Sequence, residues 1–201
     1  APKILKNYRL PDGSLPNNPR ICTGFVIRNS EIGFGKFYIA PRIMILACRN
    51  GMIREDEGFG KTHLGERQEE NSVIQWSVAT QNAHIELIQK QIGDAVKFFC
   101  SKDYLNKVVA EYEAKGSVKL KHPIQAVTGM SQHYKLSDER TQSILDYFIK
   151  SGEPTVFNAV QALTYAAQND VDADTQYDYE VASSGALDVV TKFDLPAPSK
   201  N

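Results

Sequence analysis

Two hydrophobic periods divide this chain, and the change between them falls near Trp76. Before it, residues 22–29 alternate apolar and polar and favour β structure, and residues 36–40 continue in kind. Pro41 interrupts them, which predicts an edge, bulge or bend. Residues 42–48 are rich in Ile and Leu, as expected of a strand covered on both faces. Asn50-Gly51 predicts a two-residue hairpin turn, since both central positions of such a turn need positive φ. Residues 52–54 and 61–67 then read as returning strands around a flexible Gly58-Phe59-Gly60 segment.

Beyond Trp76 the apolar positions step by three and four. Ile85, Ile88, Ile92, Val96 and Phe99 place one stripe on a helix over 77–100, expected to pack across one face of the sheet. Ser101 is a candidate N-cap for a second helix, whose Leu105, Val108, Val109 and Tyr112 share a face and which stops near Gly116. A polar connection with Lys119, Lys121 and Pro123 leads to a further N-cap at Ser137, with Asp138 and Glu139 in the first turn. Ile144, Leu145, Phe148 and Ile149 line that helix. Val156, Val160, Leu163 and Ala167 mark the next, and Tyr179, Ala182, Ala186, Val189 and Phe193 the last. Strands first and helices after, with the strands meeting as antiparallel hairpins, predict an α+β fold with a helical C-terminal half. The expected organisation is an extended Pro-rich lead-in (1–20), a single domain (21–195) with its sheet over about 21–67 and its helices over about 77–195, and a frayed tail (196–201).

Composition narrows the class. With 201 residues, 42% apolar and 23% charged, the chain can build a sizeable core and is not wholesale disordered. No apolar run reaches the ~18–20 residues that cross a bilayer, so no membrane partner is expected. The first eight residues lack the apolar stretch of a secretory signal, and the chain begins without Met, as a processed or trimmed product would. Cys22, Cys48 and Cys100 are odd in number and set among apolar residues, which predicts free, buried thiols in a reducing cytoplasm. The net charge of −1 hides an asymmetry. Up to His122 there are 18 Lys/Arg against 13 Asp/Glu; from Pro123 onward there are 5 against 11. A basic face on the first part is compatible with this, although the total is not that of a dedicated duplex binder.

Gly33-Phe34-Gly35-Lys36 recurs as Gly58-Phe59-Gly60-Lys61. A permissive backbone, a stacking ring and a cation are the parts of a single-strand nucleic-acid contact. The alternative is two unrelated loops with Phe34 or Phe59 tucked into the core. The candidate nucleic-acid contacts are Arg28, Lys36, Arg42, Arg49, Arg54 and Lys61, with Phe34 and Phe59 as stacking surfaces. Cys48 beside Arg49 could be a reactive thiolate, but a core cysteine before a turn accounts for it. His63, His84, His122 and His133 show no ligand spacing, and no metal or cofactor is expected. Asp170, Asp172, Asp174 and Asp178 imitate the start of a calcium loop, but Thr175 stands where that loop needs glycine and Val181 where it needs glutamate. Helix capping by Asp170 or Asp174 explains the run instead. No P-loop, dinucleotide-binding or nucleophile-elbow motif is present.

The block of residues 24–33, Gly-Phe-Val-Ile-Arg-Asn-Ser-Glu-Ile-Gly, followed by Arg42, then Cys48-Arg49-Asn50-Gly51 and His63-Leu64-Gly65, resembles the phage/plasmid-like protein family. Asn158-Ala159 fits that pattern as well, and the resemblance runs over roughly residues 22–168. It implies a phage, prophage or plasmid setting inside a bacterial host and carries no established activity; members have a longer N-terminal region. Strands followed by a long helix are also the order in phage-type single-strand annealing proteins, an analogy of fold alone. The leading expectation is a non-enzymatic nucleic-acid-binding protein acting on single strands in replication or recombination. The alternative is a protein-interaction or assembly component that self-associates into a homo-oligomer through its helices. An enzyme comes third and would need Glu31, Cys48 and His63 in one pocket.

Overall fold

The fold is that of a computed structural model, which describes residues 9–10, 14, 20–28, 37–45, 50–61, 76–168 and 172–196. Four strands come first: β1 (Ile21–Arg28), β2 (Phe37–Ile45), β3 (Asn50–Ile53) and β4 (Phe59–Lys61). Six helices follow: α1 (Val78–Phe99), α2 (Lys102–Gly116), α3 (Pro123–His133), α4 (Asp138–Lys150), α5 (Val156–Gln168) and α6 (Ala173–Val189). Short 3₁₀ turns lie at Glu55–Glu57 and Val190–Phe193. The chain is α+β, an antiparallel sheet followed by a helical half.

β2 is the centre of the sheet. β1 pairs along one side of it, from Ile21 opposite Ile45 to Arg28 opposite Tyr38. The other side is shared, with β3 opposite residues 42–45 and β4 opposite residues 37–39. Pro41 sits at the changeover, and its carbonyl accepts from the Arg54 amide at 3.0 Å. A strand residue's N–H and C=O point the same way, so the missing amide falls where β2 changes partner and costs the sheet least. Ile39, Ile43 and Ile45 alternate onto one face of β2 and are fully buried, joined by Ile21 opposite Ile45 and Met52 opposite Ile43.

Asn50 and Gly51 do not form the expected hairpin turn. They pair with Ile45 and Met44 inside β3, so the connection is made by residues 46–49, outside the described residues. Residues 62–67, expected to extend a returning strand, also lie outside them, as does most of the Pro-rich lead-in.

Serine side chains open three helices, those at Ser101 and Ser137 as the sequence predicts. Ser77, Ser101 and Ser137 accept from the amides of Thr80, Tyr104 and Arg140 at 3.2, 3.1 and 3.3 Å. α3 is an addition to the expected order. Pro123 occupies its first turn, and Ala126, Val127 and Met130 bury one face. Asp194 folds back to accept from the amides of Lys121 and His122, at the start of this helix. α5 is the axis of the helical half. Residues 156–164 are buried without a break, Asn158, Gln161 and Thr164 among them, packed among α2, α4, α6 and β3.

α1 has the expected length but only part of the expected burial. Ile88 and Phe99 are buried, and Ile92 and Val96 pack partly against the core, whereas Ile85 is 39% exposed. Every residue from 78 to 87 is exposed, because this end of the helix runs past the body of the fold. Ile88→Ala is therefore expected to cost about 2–5 kcal/mol in urea unfolding, against under ~1 kcal/mol for Ile85→Ala. Equal costs at the two sites would contradict this placement of α1.

Candidate functional site

Ile43 turns into the core, so its neighbour Arg42 stands on the opposite face of β2, over β3. There it meets Glu180 of α6. Arg42 Nε donates to Glu180 Oε2 at 2.7 Å, and Nη2 pairs with Oε1. The Glu180 side chain is only 5% exposed and that of Arg42 32%. A Cβ at position 51 would stand 2.7–2.8 Å from the guanidinium and the carboxylate, so Gly51 leaves the space this pair occupies. Arg28, at the exposed end of β1, lies 3.7 Å from Asp174 and 4.9 Å over the ring of Tyr177. The Tyr177 hydroxyl donates to Glu55 at 3.2 Å, and burial, then the Glu55 carboxylate, push its pKa up to about 12. Asp174, Tyr177 and Glu180 recur every three residues, so one side of α6 meets the face of the sheet that carries Arg28 and Arg42.

Arg54, just after β3, is the centre of a second cluster. Its Nη1 lies 2.5 Å from Glu111 of α2 and its Nη2 3.1 Å from Glu57. Glu57 also accepts from Tyr104 at 2.6 Å and Lys107 at 3.0 Å, and Lys115 bridges Glu111 and Asp188. Burial alone would raise both glutamates. Hydrogen bonds from Tyr104 and Lys107 on Glu57, and from Arg54 and Lys115 on Glu111, outweigh it and hold both below the usual carboxylate range. An open cavity of about 310 Å³ adjoins the cluster, bounded by Arg54, Asp56 and Glu111 on one side and Ser184 and Asp188 on the other. Carboxylates held ionised and tyrosines pushed upward are poor general bases and acids near neutral pH, so the cluster is built to hold charge in place. No group of three or more metal-ligating side chains occurs among the described residues.

The sequence candidates thus separate. Arg28, Arg42 and Arg54 each meet carboxylates of the helical half, and Arg42 and Arg54 do so at hydrogen-bond distance. Phe59 packs partly buried against the core, and Gly58 and Gly60 lie beneath Tyr38, whose hydroxyl bonds the Glu55 carbonyl. A Cβ at Gly60 would come within 2.7 Å of that ring. The backbone of Lys61 pairs with Phe37. Phe34, Lys36 and Arg49 lie outside the described residues, as do Glu31, Cys48 and His63. Asp172, not Asp170 or Asp174, caps α6, accepting from the Thr175 amide at 2.9 Å and its hydroxyl at 2.6 Å. Cys22 is partly buried, but Cys100 is exposed, since it caps α1 where the chain turns toward α2. Sequence reasoning missed Glu57, Glu111 and Glu180. The acidic excess after His122 was a signal for the last of these.

Apolar side chains are exposed on α1 and β1 as well. Val78, Leu87 and Phe98 of α1 are 71%, 52% and 55% exposed, and Phe25 and Ile27 of β1 are exposed as well. Comparison with known family models, curated proteins and solved structures finds no match to this chain. No described helix is long and apolar enough to cross a membrane.

Two outcomes follow from the ion pairs. Glu180→Gln leaves Arg42 without its counter-charge and should cost about 1–3 kcal/mol in chemical denaturation; unchanged stability would mean the pair does not hold α6. The depressed glutamates bind fewer protons folded than unfolded as the pH falls below their ordinary value of 4.5. Their stabilisation is full above that value and lost as pH drops through the depressed values. Glu57→Gln and Glu111→Gln should each flatten the acid limb of stability against pH, measured by urea melts from neutral down to about pH 3.

Proposed function

We propose that this chain is a binding component of a mobile genetic element, with no catalytic role of its own, that works by protein contact through α1. The observation that carries this reading is the run of exposed residues from 78 to 87, with Val78, Ile85 and Leu87 open to solvent. Apolar side chains on a stretch of helix that the fold leaves uncovered are available for contact. The setting comes from the resemblance of residues 24–33 and 48–51 to the phage/plasmid-like family. The state of the sheet's arginines argues in the same direction. A phosphate would have to displace Glu180 from Arg42 or Glu111 from Arg54, leaving a carboxylate poorly solvated and unpaired. The test is side-by-side capture from a bacterial host with the wild-type chain and with Ile85→Asp or Leu87→Asp, folding being checked by circular dichroism. A specific protein lost with the variants is expected; an identical captured set would overturn the reading.

Single-strand nucleic-acid binding is the second reading, and Arg28 favours it: an exposed guanidinium over the ring of Tyr177 is a cation joined to a stacking surface. Fluorescence anisotropy with a labelled oligonucleotide across a salt series tests it. Arg28→Gln, Lys36→Gln and Lys61→Gln should each lower affinity and flatten its salt dependence. Phe34→Ala should weaken binding at every salt concentration, by ~1–3 kcal/mol per stacked base. Absence of binding at low salt would remove this reading and leave the first.

A further inference from the structure

We propose that α1 meets a second copy of this chain, the two helices running antiparallel about a twofold axis between Ile92 and Gly93. The inference rests on α1 being a contact surface and names its partner. Leu87, Gln91, Asp94 and Phe98 follow one another by four, three and four positions, so they share one side of the helix. That side is distinct from the one that Ile88, Ile92, Ala95, Val96 and Phe99 turn toward the body of the fold. Leu87 and Phe98 stand at its two ends, each more than half exposed.

A twofold contact is self-complementary, each patch meeting its own copy reversed. About this axis Leu87 of one copy meets Phe98 of the other, and the pairing occurs twice. Gln91, half-buried with its Oε1 out of solvent, lies opposite Asp94 of the other copy in this arrangement. The charges fit the same arrangement. Glu86, Lys90, Asp94 and Lys97 alternate in sign along the helix. Antiparallel pairing brings Lys90 beside Asp94 of the other copy and Lys97 toward Glu86, whereas parallel pairing in register would set each charge beside its like. Within one copy Lys90 pairs with Glu86 at 2.8 Å, and Asp94 and Lys97 have no ion-pair partner among the described residues. A second copy supplies both.

Sedimentation equilibrium on the full chain tests the pairing. The expected mass is twice the 22.4 kDa of one chain. Phe98→Asp should weaken the dimer about tenfold or more with an unchanged circular dichroism spectrum. Because Phe98 also touches the Phe99 and Tyr104 rings, Leu87→Asp, at a position outside those ring contacts, serves as the second variant. Asp94→Lys alone and Lys90→Glu alone should each weaken the dimer, and the two together should restore it. A monomer at every concentration, or a dimer indifferent to Phe98→Asp and Leu87→Asp, overturns the inference. If the captured protein is still lost with Leu87→Asp in either case, the contact role of α1 survives and only the identity of its partner falls.

Discussion

A carboxylate that has left water, and the guanidinium that receives it, join the two halves of this chain. Removing Glu180 from solvent costs several kcal/mol, and that cost is offset only when both of its oxygens are met. The two-pronged geometry of Arg42 meets both. Much of the local sequence follows from that one requirement. Position 42 needs the fork of arginine, since a lysine would reach the carboxylate as a single point. Position 51 must carry no side chain. β3 must keep its register, because a slip of one residue would bring Asn50 or Met52 beneath the pair and turn every β3 side chain to the wrong face. With Glu180 fixed, α6 is aimed along the sheet, so Tyr177 and Asp174, one and two turns earlier, arrive at Glu55 and Arg28.

Some of the opposite charges of the two parts of the chain are therefore addressed to each other. Arg28 and Arg42 look outward in the sequence, yet their nearest charged neighbours belong to an acidic helix more than a hundred residues away. Arg54 is met by Glu57 and Glu111 of its own part of the chain, and Lys115 ties α2 to Asp188 of α6. Opposite charges held this close cancel one another's field at a distance, which weakens electrostatic steering of a polyanion. Among the described residues, Val78, Ile85, Leu87 and Phe98 of α1 are apolar side chains left open on the surface.

The sequence made visible whatever is decided within a few residues. Ser77, Ser101 and Ser137 cap their helices because a hydroxyl three residues before an amide has the same geometry in any fold. α3 was hidden by the lysines before it, although Pro123 at a helix start and the spacing of Val127 and Met130 were both in view. The glycines were harder. Asn50-Gly51 carries the signature of a turn, but Gly51 is selected by the ion pair above it, and Gly60 by the ring of Tyr38. Rules built on φ register a glycine's freedom and miss the neighbour that needs the space. The partners of the arginines lay beyond any local pattern, since Arg42 and Glu180 are 138 positions apart. Periodicity likewise revealed the apolar stripe of α1 without revealing how much of it the fold would cover.

That uncovered length has its own energetics. A stretch of about ten residues is too short to hold helix alone in water, where isolated helices below ~12–15 residues are marginal. Local devices help at its start: the Ser77 cap, the bond from the Gln81 side chain to the Trp76 carbonyl, and the Glu86–Lys90 pair, each contributing roughly 0.3–1 kcal/mol. The firmer anchor is at the other end, where Ile88 and Phe99 enter the core. Phe98 belongs to that anchor and to the exposed surface at once. Its ring lies 5.3 Å from that of Tyr104, the Tyr104 hydroxyl donates to Glu57 at 2.6 Å, and Glu57 pairs with Arg54 at 3.1 Å. Phe98 is thus the first member of a series of contacts that runs through Tyr104 and Glu57 to Arg54.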